Sequence, residues 1–119
     1  MEEEKFRKLV TEAIDELPDS FKKKIDNLYV IVEDFPSREI LKEQGVESPY
    51  SLLGLYQGIP IKKRGVSYTN VLPDRIIIYR KPIESIGKGD AQIKERVKEV
   101  FRHELGHHFG FSEKELAEY

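Results

Sequence analysis

Near its C-terminus this chain carries His103-Glu104-Leu105-Gly106-His107, two histidines one helical turn apart with a glutamate beside the first. The segment is the end of a longer stretch whose apolar residues Ile93, Val97, Val100 and Phe101 recur at helical spacing. Asp90 is suited to cap such a helix, which is expected from about Ala91 to Phe109. This combination restricts the fold severely. One side of the helix must be covered by other elements, and the side holding the histidine pair must face a cleft.

The rest of the chain supplies elements to cover it. From Lys5 to Leu17 the apolar residues Phe6, Leu9, Val10, Ala13, Ile14 and Leu17 form the stripe of a surface helix, closed by Pro18. Leu28 to Val32 reads as a short strand leaving into Glu33-Asp34-Phe35-Pro36. Residues 34 to 51 read as a loop with a short helical piece near Arg38 to Glu43. Leu52 to Ile61, with two glycines and a proline, fits an irregular or edge strand. Arg75 to Ile83 has the strongest β-propensity, after the turn signal Pro73-Asp74. A loop at Gly87 to Asp90 then leads into the long helix. At 119 residues with 39% hydrophobic content, the chain suits one compact domain over residues 1–119.

The chemistry of the motif follows from helix geometry. Residues four apart differ by about 40° in azimuth and about 6 Å along the axis, so His103 and His107 can aim their imidazoles at one point. Zinc accepts such nitrogens in a tetrahedral shell and, in catalytic sites, keeps one position for water. Glu104 lies about 100° round the helix, where it can take a proton from that water and return it to a leaving amine. The motif therefore points to one Zn²⁺ per chain, with Glu104 as general base.

Composition removes the alternatives. With no cysteine, disulfide frameworks, thiolate zinc knuckles and cysteine nucleophiles are all excluded, and any metal must rest on His, Asp or Glu. A net charge of −2, with only short basic clusters, offers no long-range field for nucleic acid or an anionic membrane. No stretch approaches the ~18 apolar residues of a membrane span, and the acidic N-terminus is unlike a secretory signal. A soluble cytoplasmic protein is expected.

A third protein ligand is required. Gly110 can take positive φ, end the helix and turn the chain back toward the metal, making Glu113 the first available carboxylate, with Glu115 and Glu118 next. His108 lies about 120° from the mean direction of the pair, on the Val97 and Phe101 side, and is assigned to packing or to supporting hydrogen bonds. Tyr56, Tyr68 and Tyr79 could each supply a hydroxyl to a developing oxyanion, and nothing in the sequence selects one.

At these residues the chain resembles the zincin metallopeptidases, specifically the small bacterial single-domain zincin-like family. The marks are Leu17-Pro18, Leu52 to Gly58, Leu72 to Ile76, Tyr79 to Ile83, and above all His103 to Gly110 followed by Ser112-Glu113. The resemblance implies an α+β, minimal zincin-like fold: a small twisted mixed β-sheet packed against an N-terminal helix and a C-terminal active-site helix. It also implies that an acidic residue at position 113 completes the metal shell. The only methionine is Met1, so the methionine turn of metzincins is absent. In zincins an exposed strand beside the cleft pairs with extended substrate, and Leu53, Gly54, Leu55 and Tyr56 resemble that segment. The expected activity is zinc-dependent hydrolysis of a peptide or protein substrate at a shallow, open site, with dependence on an unidentified protein partner also open. The alternative is a zinc-binding regulatory or structural module on the same scaffold.

Overall fold

The computed structural model describes residues 1–25, 28–58 and 74–108, with residues 24, 107 and 108 described by their backbone alone. Three consecutive isoleucines, Ile76 to Ile78, define its centre. A strand apolar at every position must be covered on both faces, and these residues together with Tyr79 are essentially inaccessible to solvent. They form β3 (Arg75–Tyr79), the middle strand of a three-stranded mixed sheet in the order β1-β3-β2. β1 (Tyr29–Glu33) runs parallel to it, with Val32 opposite Ile78. β2 (Gly54–Gln57) runs antiparallel, with Leu55 opposite Ile77.

Alternation along β3 divides the core in two. Ile76 and Ile78 join Val32 and Tyr56 on one face, against α1 (Glu3–Asp15) and α5 (Gly89–His108). Ile77, Tyr79 and Leu55 form a smaller cluster on the other, joined by Ile31, Leu52 and Ile40 of α3 (Arg38–Gln44). Phe6, Leu9, Val10 and Ala13 are the buried face of α1, as their spacing requires. α3 starts where Ser37 Oγ accepts the Ile40 N–H and stops at Gly45, whose φ of 67° a side chain would resist. The arrangement is the α+β architecture expected.

Two local expectations are corrected, and one element is added. The first helix ends at Asp15, ahead of Pro18, as expected. Phe21 donates its N–H to the Pro18 carbonyl and a second helix follows, α2 (Asp19–Ile25), burying Phe21 and Ile25. The strand expected to reach Ile83 ends at Tyr79, and Arg80–Ile86 is helix α4. Pro82 sits in the first turn of α4, where no intrahelical bond needs its missing N–H. The turn is held by Arg80, which donates to Asp34 Oδ1 and to the Met1 carbonyl at 2.9 and 2.7 Å. Finally, α5 begins at Gly89, so Asp90 lies inside its first turn and pairs with Lys5 at 3.3 Å. Gln92 Oε1 accepts the Lys88 N–H in the place of an N-terminal cap.

Candidate metal centre

α5 carries the histidine motif, and its buried stripe sets the direction in which the motif faces. Ile93, Val97, Val100, Phe101 and Leu105 are all buried, while His103 is exposed and Glu104 half-buried. The helix is unbroken through residue 108, so His103 and His107 lie on it with the spacing of one turn and Glu104 between them. The His107 and His108 side chains lie outside the described residues, as do Gly110, Glu113, Glu115, Glu118 and Tyr68. Among the described side chains no three His, Asp or Glu gather into a metal shell. Two of the three expected donors, His107 and Glu113, are not among them.

Glycines bring α5 onto its neighbours at two points. A Cβ on Gly54 of β2 would stand 2.3 Å from Val100 Cγ1 and 3.0 Å from the Ile77 carbonyl oxygen. A Cβ on Gly87 would stand 2.9 Å from Ile93 Cγ1. Ile93 and Val100 are seven residues apart, two turns along the same face. Ion pairs fix the flank of the helix: Glu16, just past α1, meets Lys94 and Lys98 at 2.6 and 2.5 Å. The two ammonium groups, Lys94 first, hold the Glu16 carboxyl down at about 2.

The segment with the expected substrate-pairing role is β2 and the residue before it. Gly54, Leu55 and Tyr56 are buried and Leu53 partly so. The close approach that Gly54 permits is made by Val100 of the same chain. Tyr56 donates its hydroxyl to Asp74 Oδ2 at 2.6 Å, and Arg75 Nε donates to Gln57 Oε1 at 2.6 Å, which ties β2 to the start of β3. Among the described residues no strand pairs with the other edge of β2.

Of the tyrosines the sequence left undivided, Tyr79 is set apart by its surroundings. Its hydroxyl is buried with no hydrogen-bond partner among the described residues. Burial pushes it up to about 12; the Glu33 carboxylate adds to the shift, Arg75 opposes it, and Glu104 adds again. The end of the central strand is therefore within electrostatic reach of Glu104. Spacing could not have singled it out, because Glu33 comes from β1 and Glu104 from α5.

The model of the zincin-like metallopeptidases matches residues 25–119. The chain belongs to that family. This zincin-like protein is also similar to a conserved hypothetical protein from Thermus thermophilus, with 27% identity and a TM-score of 0.55 over 90% of this chain and 92% of the other. No curated protein matches it. Among its described residues no helix is long and apolar enough to cross a membrane.

Proposed function

We propose that this zincin-like protein is a zinc-dependent peptidase in which His103 and His107 hold the metal, Glu113 completes the shell, and Glu104 is the general base. The observation that carries the reading is the unbroken course of α5 through residue 108 with His103 exposed and its apolar stripe turned away. The donor set suits the ion. Two imidazoles and a carboxylate, with no thiolate in the chain, are ligands that zinc accepts at a catalytic site. Zinc bound there would supply Lewis acidity toward a water and a scissile carbonyl.

The remaining steps belong to the chain. Glu104 takes a proton from the attacking water and delivers it to the departing amine nitrogen, a transfer its half-buried position favours by limiting competition from bulk solvent. His103 and His107 contribute neutral imidazoles, so holding the metal requires both to be deprotonated.

The test is Glu104→Gln, which preserves shape and removes the base. Peptide cleavage should fall by about 10²- to 10⁴-fold, while elemental analysis still finds one zinc per chain and the melting temperature is unchanged. Cleavage at the wild-type rate would overturn the mechanism. A wild-type protein that holds zinc but cleaves no member of a peptide library would leave the metal-binding module as the correct reading.

A further inference from the structure

Gly54 lies 46 positions before Val100 and outside the histidine motif, yet it is packed directly against α5. A Cβ there would stand 2.3 Å from Val100 Cγ1, with the Ile77 carbonyl oxygen 3.0 Å away and Val100 Cβ at 3.6 Å. Neither neighbour yields easily. Valine is β-branched and stiff at χ1, and Val100 is buried among Val97, Phe101 and the sheet. The carbonyl belongs to β3, the strand with a partner on both sides.

We propose that Gly54 is a positioning residue for the metal-binding turn of α5: its missing side chain sets how closely Val100, and with it His103 and Glu104, approaches the sheet. The inference rests on the metallopeptidase reading of His103 and Glu104 and adds the part of the scaffold that places them. His103 is three residues and Glu104 four beyond Val100, about 4.5 and 6 Å along the helix axis. Because a helix moves as a stiff body over one turn, a displacement imposed at Val100 is passed to both. An alanine at position 54 would have to push Val100 back by about 1 Å to reach ordinary van der Waals contact. Misplacement on that scale is enough to disable a site, whose groups must be held within about 0.5 Å. Gly54 thus serves contact within the chain, whatever substrate meets the outer edge of β2.

The design predicts a pattern across three variants. Gly54→Ala should weaken zinc binding by about 10- to 100-fold, the range found when groups supporting metal ligands are altered. It should also shift the His103 ring resonances of the metal-free protein. Gly54→Ala with Val100→Ala should restore both, because the closest remaining contact on the helix side is then the Cβ at 3.6 Å. Gly87→Ala crowds Ile93 at 2.9 Å, ten residues before His103. It should lower the melting temperature with zinc affinity and His103 resonances as in wild type. A merely structural role for Gly54 would make its alanine variant behave like Gly87→Ala, and that result overturns the proposal. Failure of the double variant to restore the His103 resonances overturns it too. Should Gly54→Ala not fold, Val100→Ile adds a methylene at the same contact from the helix side and is read in the same way. A wild-type protein that binds no zinc would sink the metallopeptidase reading, while the metal-free resonances would still decide the role of Gly54.

Discussion

In its first half α5 is secured by ties of two kinds: Ile93 and Val97 are buried against the core, and Lys94 and Lys98 converge on Glu16. Around His103 the arrangement differs. Phe101 and Leu105 are fully buried behind it, whereas His103 itself faces water. One helix therefore serves as scaffold over its first half and presents chemistry toward its C-terminal end. The glycine contacts fall on both halves, Gly87 on the first and Gly54 beside the second. A site can share its helix with the core if the buried stripe continues beneath it.

The largest effects test that division of labour within a single turn. Phe101→Ala removes a fully buried ring from the larger core cluster and should cost about 3–5 kcal/mol of stability in chemical denaturation. His103→Ala, two residues on, deletes an exposed side chain. In metal-free protein it should change stability by no more than about 0.5 kcal/mol, while zinc affinity collapses. Comparable losses of stability in the two variants would show that the last turn of α5 is not partitioned in this way.

A smaller effect is expected at Tyr79, at the end of the central strand. Its hydroxyl is buried and without a partner among the described residues. Leaving such a group unsatisfied costs about 1–3 kcal/mol. Tyr79→Phe should therefore raise stability by about 1 kcal/mol, allowing for the small void left by the oxygen. Alkaline titration of the wild type should show one tyrosine ionising at about 12 that the variant lacks. A less stable variant would mean that the hydroxyl has a partner worth keeping.

What could be read from the sequence and what could not differ in range. The stripes of α1 and α5, the strand at Tyr29–Glu33 and the helical piece after Ser37 depend on residues within a few positions of one another, and periodicity or a cap reveals them. The change from strand to helix at Arg80–Ile86 has one local sign, Pro82, which a central strand does not accept. The bond from Arg80 to Asp34, 46 positions earlier, is not written in any local pattern. The candidate site divides in the same way. His103, Glu104 and the spacing to His107 are local to one helix and legible. The role of Gly54 depends on Val100, and a glycine in an apolar segment looks the same whether a substrate or a helix fills the space beside it. The third ligand expected at Glu113 lies outside the described residues.

The smallest effect concerns the charged ties of the first half of α5. Glu16 is held down at about 2 by the ammonium groups of Lys94 and Lys98, against an ordinary value of 4.5. The folded state therefore binds this proton less readily than the unfolded state does. The stabilisation is fully present above pH 4.5 and is lost as pH falls from there through about 2. Because these groups are solvent-accessible, salt screens the pair, and its contribution should shrink between low and high ionic strength. Glu16→Gln should remove this part of the acid sensitivity between pH 4.5 and 2, and the difference from wild type should narrow in about 1 M salt. Zinc affinity at neutral pH should be unchanged, since the ion pairs sit on the scaffold half and the Gly54 contact remains to hold the last turn. If Glu16→Gln weakened zinc binding as much as Gly54→Ala, the two halves of α5 would be one mechanical unit, and the placement of His103 would depend on the whole helix.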